Sequence, residues 1–275
     1  MRHLKTYRSL VATLLLLGAT AAHGTLIFSE DFENRNLGDL DGQAGFEAMD
    51  EAQVVSGGLS YSSGNVSVPQ GTRNFFVDGP PAANNWVYSN TFSAQTGAVY
   101  FSVLMEWTNQ TQDAFLFFAL SDGVNQDSPL ANSGGFYVNQ QGTFFGRIRD
   151  DSFANTTNES TDISGGQNTS TTQMAVGRLS KDGTTNYNTL DLWINPDSLS
   201  EGTPDATVSR DMGISELTTF YFFSGASNQN NQTVSMDNIM IGSSYDSVVI
   251  PEPGTLVLLG IALSAVALFG RRRSR

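Results

Sequence analysis

The fold class is decided by residues 98–107, which read AVYFSVLMEW. Bulky apolar residues occupy every second position, so one face of an extended chain carries Val99, Phe101, Val103, Met105 and Trp107. This period of two residues predicts a β-strand with one face in a hydrophobic core. The next stretch, 114–120, is almost continuously apolar, which is typical of a strand that is buried on both faces.

Similar stretches follow along the chain, and polar turns separate them. Strands are predicted, in chain order, at 135–138, 143–148, 174–179, 189–194, 218–223 and 234–241. The first two flank the turn 139–142 and the next two flank the turn 181–183, so each pair is predicted to form a β-hairpin. Two polar stretches without periodicity, 150–172 and 195–207, are predicted to be loops. The pattern predicts an all-β fold, a two-sheet antiparallel jelly roll or β-sandwich.

The first 24 residues have the three parts of a secretory signal peptide. Arg2, Lys5 and Arg8 form a positively charged start, residues 10–18 are apolar, and small residues follow up to Gly24. Such a segment is removed during export. The alternative is an uncleaved anchor, but a spanning helix needs about 20 apolar residues, which is longer than this stretch. Cleavage is therefore predicted within 19–24.

The end of the chain has the layout of a membrane-sorting signal. Pro251, Glu252 and Pro253 precede the uncharged stretch 254–270, and the chain then ends with Arg271, Arg272, Arg273, Ser274 and Arg275. This apolar run is at the short end of the range that spans a bilayer, and arginines stay on the cytoplasmic side, so the preceding domain faces outward. Core helices rarely have this composition, and lipid-anchor (GPI) signals do not end in arginines. An ordinary single-pass anchor remains the alternative.

The order Pro-Glu-Pro, apolar span and arginine-rich end resembles the PEP-CTERM sorting domain of Gram-negative bacteria, over residues 249–275. The resemblance implies export through the secretion translocon, an inner-membrane precursor held by the C-terminal helix, and cleavage near Pro-Glu-Pro by the membrane protease exosortase. It also implies delivery to the cell surface or the exopolysaccharide matrix. The two prolines favour an extended segment just outside the bilayer, where a protease can reach the backbone.

The two ends of the central domain resemble those of concanavalin A-like, laminin G-like domains. The opening stretch 28–46 includes GDLDGQAGF, where such domains usually end in tryptophan and this chain has Phe46. The closing stretch 234–249 resembles their last strand, and 176–179 with 190–196 resembles their central hairpin. The resemblance implies a sandwich in which the first and last strands pair. The predicted layout is a signal peptide (1–24), a β-sandwich domain (25–249) and a sorting segment (250–275).

Composition excludes several classes of function. Seven of the 14 basic residues but only one of the 27 acidic residues lie in the two terminal segments, so the domain is more acidic than the net charge of −13 of the whole chain. Such a domain is disfavoured as a partner of nucleic acid or of an anionic membrane. The chain has no cysteine, which excludes disulfides and thiolate chemistry. Its two histidines, His3 and His23, lie in or next to the signal peptide, so a histidine-based triad or metal site is not expected.

Catalytic carboxylates are not evident in the sequence. Glycoside cleavage needs two carboxylates across a cleft, and laminarinase-type relatives of this fold carry Glu-x-Asp-x-x-Glu on one strand. The chain lacks that pattern, since Glu30, Asp31 and Glu33 have the wrong alternation and Glu106 stands alone. We therefore predict no catalytic residues and a non-enzymatic protein that associates with polysaccharide or matrix. The alternatives are a divergent glycan-cleaving enzyme with scattered carboxylates and an architectural protein without a ligand.

A glycan contact is predicted around Trp193. The aromatic residues considered for sugar binding are Trp86, Trp107, Trp193, Tyr137, Tyr187 and Tyr221, most of which belong in the core of such a fold. Asp191, Trp193 and Asn195 share one strand parity, opposite the apolar face of the same strand. If the apolar face points inward, the indole faces outward with a polar residue on each side.

Calcium is the only cofactor for which the sequence offers ligands. Asp122, Asn125 and Asp127 place side-chain oxygens at close spacing in one loop, and residues 150–151 form a second acidic pair. Oxygen ligands are those that calcium prefers. The same residues are also typical of ordinary turns, so the prediction is no cofactor, with calcium as the alternative.

Overall fold

The computed structural model describes the following residues: 24–48, 52–78, 86–108, 115–123, 131–139, 141–150, 157–159, 163, 170–225 and 233–249. The predicted sorting segment and all of the predicted signal peptide except Gly24 lie outside these residues. Within the part that is described, no helix has both the length and the apolar character needed to cross a membrane.

The described residues form 17 strands. In chain order they are β1 (Leu26–Glu30), β2 (Gly38–Asp39), β3 (Ala52–Ser56), β4 (Tyr61–Ser63), β5 (Val66–Val68), β6 (Arg73–Asp78), β7 (Trp86–Gln95), β8 (Val99–Thr108), β9 (Phe115–Ser121), β10 (Ser133–Asn139), β11 (Phe144–Arg149), β12 (Thr157–Glu159), β13 (Gln173–Ser180), β14 (Thr189–Ile194), β15 (Ala206–Ser209), β16 (Leu217–Gly225) and β17 (Thr233–Gly242). A single 3-10 turn, Tyr245–Ser247, follows the last strand. Every strand predicted from the sequence is present.

The strands form two main antiparallel sheets and one hairpin. The nine-stranded sheet has the order β15-β14-β13-β8-β17-β6-β3-β2, with β1 also beside β17. The six-stranded sheet has the order β12-β11-β10-β9-β16-β7, and β4 pairs with β5 separately. The predicted all-β, two-sheet antiparallel architecture is confirmed.

Three predicted pairings are also present in the strand register. The hairpins β10–β11 and β13–β14 form as the turn residues predict. The first strand β1 pairs with the last strand β17, from Leu26 opposite Gly242 to Glu30 opposite Ile239. This closure of the sheet agrees with what the laminin G-like resemblance implies.

The main core lies between the two sheets. All five residues that alternate along β8, from Val99 to Trp107, are fully buried there. Aromatic rings of the six-stranded sheet face them, and the Phe101 and Phe118 ring centroids are 5.4 Å apart. Burial of side chains of this size stabilises the fold by about 1.5–3 kcal/mol each. The alternating residues of 98–107 therefore lie in the core that holds the two sheets together.

A second apolar layer covers the outer face of the nine-stranded sheet. It consists of the β4–β5 hairpin and the residues that follow β17, and it packs on the sheet residues Tyr100, Leu104, Met174, Val176, Trp193 and Met240. The phenol of Tyr61 in β4 donates a hydrogen bond to the carbonyl oxygen of Pro196 (2.9 Å) and so ties the hairpin to the end of β14. As a result, the centre of this sheet is buried on both faces.

The last strand contains a bulge at Asp237 and Asn238. The register between β17 and β8 shifts there, and Asn238 has a φ of 48°. On its other side, β17 pairs with β6 before the bulge and with β1 after it. The fully buried Asp237 carboxylate accepts hydrogen bonds from the backbone N–H groups of Leu59 (2.9 Å) and Asn238 (2.7 Å). The bulge thus aims a carboxylate at the segment that leads into the outer layer.

Candidate functional site

The prediction that the Trp193 indole is exposed to solvent, where it could contact a glycan, is wrong. The parity is right, because Trp193 lies on the face of β14 opposite the main core. However, its side chain is only 5% exposed, since the outer layer covers that face. The indole packs edge-on against Tyr245, with centroids 5.3 Å apart, and its Nε1–H donates to the carbonyl oxygen of Gly202 (3.1 Å). The ring is therefore unavailable for stacking on a sugar in the folded protein.

The two polar residues predicted beside this ring have structural partners. Asp191 is 4% exposed and accepts hydrogen bonds from Arg178 Nε (3.0 Å) and from Thr207 Oγ1 (2.6 Å). Asn195 Oδ1 accepts a hydrogen bond from the Met174 backbone N–H (2.9 Å). Asn195 directly follows β14 and has a left-handed backbone conformation, with a φ of 54°. Both side chains therefore serve strand pairing and ion pairing.

The other buried carboxyl groups are also engaged within the nine-stranded sheet and its loops. Glu30, 3% exposed, accepts from the Phe32 backbone N–H (2.8 Å) and from Arg35 Nε (3.0 Å). Burial raises the pKa of Asp237 to about 7. The hydrogen bonds that its carboxylate accepts from two backbone N–H groups act in the opposite direction and lower the pKa. Each buried acid has a local structural task.

The proposed calcium ligands lie only partly in the described chain. Asp122 follows β9, and its backbone carbonyl oxygen accepts a hydrogen bond from Thr218 Oγ1 (2.8 Å), as in an ordinary turn. Asn125 and Asp127 lie outside the described residues, and Asp150 pairs with Arg210. Across the described ranges, no group of three or more His, Cys, Asp or Glu side chains could hold a metal ion. Calcium binding at 122–127 stays the untested alternative.

The outer face of the six-stranded sheet presents a row of aromatic rings. Phe223 of β16, Phe117 of β9, Tyr137 of β10 and Phe145 of β11 are register neighbours across four adjacent strands. We call this surface the aromatic face and define it by Phe115, Phe117, Tyr137, Phe145, Arg147, Tyr221 and Phe223. Alternation puts these residues opposite the main core. Phe117, Tyr221 and Phe223 form an apolar cluster there with Ala119, and Phe115 and Tyr137 pack against it.

The next row of the aromatic face has small residues at its centre. Tyr221, Ala119, Gly135 and Arg147 are register neighbours in that order. Gly135 is required there, because a Cβ would lie 1.9 Å from the backbone oxygen of Phe118. Ala119 and Tyr221 are both 0% exposed and Gly135 is buried, so the centre of this row is not accessible to a ligand.

A third row adds hydrogen-bonding groups. Thr219, Ser121, Ser133 and Arg149 are register neighbours across the same four strands. Hydroxyl groups both donate and accept hydrogen bonds, and guanidinium groups donate. Thr219, Ser121 and Ser133 are at most 4% exposed, so their hydroxyl groups do not form an accessible polar edge of the aromatic face.

The accessible part of the aromatic face centres on Tyr137. Phe117, Tyr221 and Phe223 are buried, whereas Phe115, Tyr137 and Phe145 are half-buried. The guanidinium carbon of Arg147 lies 3.7 Å from the Tyr137 ring centroid, which is a close cation–π contact. Burial raises the pKa of the Tyr221 hydroxyl, so this group stays protonated throughout the neutral range.

The sequence alone did not single out this face. Tyr137 and Tyr221 were considered with four other aromatic residues, and nothing distinguished them locally. The sequence does place Phe145, Arg147 and Arg149 at every second position of one strand, and therefore on one face of it. This pattern became informative only once the register placed that strand beside Tyr137.

Comparison with protein families identifies the end of the chain. Residues 249–273 match the family model described as the PEP-CTERM protein-sorting motif. This confirms the resemblance of the C-terminal segment and includes Pro251, Glu252, Pro253, Arg271, Arg272 and Arg273. The motif implies an exported, membrane-processed protein and processing by an exosortase. No curated protein matches the sequence.

Solved structures similar to the chain are β-sandwich domains of concanavalin A-like or jelly-roll type. The "Cellulose induced protein, Cip1" is 18% identical with a TM-score of 0.49, covering 79% of this chain and 97% of that one. A Bacillus licheniformis β-glucanase is 11% identical with a TM-score of 0.48, covering 79% and 98%. The botulinum neurotoxin serotype C1 binding domain is 11% identical with a TM-score of 0.47, covering 87% and 52%, so this chain spans about half of that length. At these values the likeness carries no argument about activity.

Proposed function

We propose that this exported protein, delivered by its PEP-CTERM motif to the cell surface or matrix of a Gram-negative bacterium, binds extracellular polysaccharide through the aromatic face and does not cleave it. The observation that carries the proposal is the half-buried Tyr137 ring, in contact with the Arg147 guanidinium and next to the half-buried Phe115 and Phe145 rings. The matrix partner and the Gram-negative host are parts of the same proposal.

The chemistry of the aromatic face suits a sugar polymer. Pyranose rings have apolar C–H surfaces and hydroxyl edges, and they are bound by aromatic side chains together with a few placed polar groups. Tyr137, Phe115 and Phe145 supply the rings, and Arg147 supplies N–H donors in a fixed plane. The strong acidity of the domain disfavours polyanionic sugars, so we propose a neutral polysaccharide.

The distribution of acids supports binding rather than cleavage. Strands β7, β9, β10, β11 and β16 contain no Asp or Glu, and Glu159 in β12 is the exception within this sheet. The three buried acids of the described chain, Glu30, Asp191 and Asp237, all lie in the nine-stranded sheet. Hydrolysis of a glycosidic bond needs a pair of carboxyl groups that flank the substrate.

Replacement of Tyr137 by leucine is expected to weaken polysaccharide binding about tenfold, which corresponds to about 1.4 kcal/mol. Leucine preserves apolar packing but removes the ring and its cation–π contact with Arg147. The matched control is Tyr100→Leu, because Tyr100 also lies near an arginine (Arg178, 5.9 Å from the ring centroid) but on the outer face of the other sheet. The measurement is depletion of the processed protein by cellulose, chitin and starch particles at increasing protein concentration.

The same assay separates the alternatives. Equal binding by the Tyr137 and Tyr100 variants would contradict the aromatic face as the binding surface, provided circular dichroism shows both variants folded. Release of reducing sugar from any of the particles would instead favour the divergent glycan-cleaving enzyme. Absence of both binding and release would favour an architectural protein.

A further inference from the structure

The folded domain continues to the first residue of the sorting motif. Tyr245 is 4% exposed, Val248 is fully buried and Val249 is 1% exposed. These residues belong to the apolar layer on the outer face of the nine-stranded sheet, beside Trp193. The sorting motif begins at Val249, so the two units share a residue that lies inside the fold.

Hydrogen bonds hold this segment in a defined conformation. The Ser102 hydroxyl of β8 donates to the carbonyl oxygen of Val248 (2.7 Å), a contact that is buried. The backbone N–H groups of Val248 (3.1 Å) and Val249 (3.2 Å) both donate to the carbonyl oxygen of Tyr245. We call residues 245–249 the docked segment. Its backbone is closed into a turn and is not extended.

A protease needs the opposite conformation. Cleavage of a peptide bond requires exposed backbone on both sides of that bond, which is why proteolysis concentrates in accessible loops and termini. Pro251 follows the docked segment after a single intervening residue, Ile250. A protease that acts near Pro-Glu-Pro therefore meets a folded obstacle immediately before its recognition sequence.

We propose that undocking of residues 245–249 sets the rate at which the sorting motif is cleaved. We also propose that the cleaved bond is C-terminal to Val249, so that the processed protein retains all of the docked segment. This inference rests on the exosortase processing that the motif implies. Cleavage is hydrolysis of one peptide bond, in which water supplies the hydroxyl of the new carboxyl group and a proton to the new amine. The folded domain thereby protects its own last residues, and the processed protein keeps the docked segment in place. Local opening of this kind precedes proteolysis in many folded proteins.

The test is a pulse-chase experiment with the full chain in a bacterium that has an exosortase. A Gly-Ser-Gly-Ser-Gly-Ser insertion between Val249 and Ile250 gives the protease an extended approach without altering the docked segment. We expect the half-life of the precursor to fall about threefold or more, because opening no longer limits access. The matched control is the same insertion between Asp182 and Gly183, in an exposed turn, which is expected to leave the half-life unchanged.

A point variant tests the restraint without lengthening the chain. Ser102→Ala removes the hydrogen bond to Val248 and leaves the motif intact, so it is expected to shorten the precursor half-life in the same direction. Unchanged half-lives for both the linker variant and Ser102→Ala would overturn the proposal that undocking of residues 245–249 sets the cleavage rate. A processed C-terminus located by mass spectrometry before Val249 would overturn the position of the cleaved bond.

A strain without exosortase separates this inference from the processing on which it rests. If the precursor disappears equally fast in that strain, exosortase processing itself is contradicted, and the restraint falls with it. If the precursor persists there but neither the linker nor Ser102→Ala changes its half-life in the parent strain, processing stands and only the control of cleavage by undocking is overturned.

Discussion

Replacement of Trp193 by alanine is expected to lower the free energy of unfolding by about 3–5 kcal/mol. The indole is 5% exposed and joins the outer layer to the nine-stranded sheet through Tyr245 and Gly202. Its removal leaves a cavity in that layer and removes the hydrogen bond to the Gly202 carbonyl oxygen. Urea unfolding at constant pH measures the change.

The control for this variant is Leu37→Ala. Leu37 is 59% exposed, so its truncation is expected to change the free energy of unfolding by no more than about 0.5 kcal/mol. A Trp193→Ala protein of unchanged stability that no longer retains polysaccharide would contradict the burial of the indole and restore its prediction as a glycan contact.

The contribution of Asp237 to stability is expected to fall by about 3 kcal/mol as the pH rises from about 4 to about 7. The carboxyl group has an ordinary pKa of 3.8, and burial raises the pKa in the folded protein to about 7. Between these values the folded state binds more protons than the unfolded state, so raising the pH favours unfolding. Below the ordinary pKa the contribution is fully present, and it is lost as the pH rises through the folded pKa.

Asp237→Asn separates the pH-dependent contribution of the Asp237 carboxyl group to the free energy of unfolding from the contributions of the other titrating groups. The amide does not titrate, so the unfolding free energy of the variant minus that of the parent protein should increase with pH by about 3 kcal/mol over that range. The matched control is Asp182→Asn, in an exposed turn, for which the same difference should be independent of pH. A constant difference for Asp237→Asn would show that its carboxyl group titrates in the folded protein as it does in the unfolded chain.

Strand positions and hairpins could be predicted because their causes are local. Alternation along 98–107 reflects the geometry of an extended chain, in which successive side chains point to opposite faces. The turns at 139–142 and 181–183 reflect the backbone freedom of Gly142 and Gly183, which have φ values of 73° and 66°. The short strands β2, β4, β5 and β12 were not predicted, since three residues or fewer do not establish a period. The longer strands β3, β6, β7 and β15 were not predicted either, and β12 and the first residues of β15 lie in stretches that were predicted to be loops.

The candidate site was predicted less well than the fold. The parity of Trp193 was predicted correctly, but its exposure was not, because the covering residues come from β4–β5 and from 245–249. The aromatic face could not be derived from sequence, because its rows join residues of four strands that only the register brings together.

The sequence by itself determined the sorting motif at the end of the chain, the all-β class and the face on which each strand residue lies. These properties depend on linear order and on the period of an extended backbone. Only the tertiary structure decided which faces are covered, where the aromatic face lies and how closely the fold approaches the sorting motif. Those properties depend on contacts between residues far apart in the chain, such as Ser102 with Val248, and no local pattern encodes such contacts.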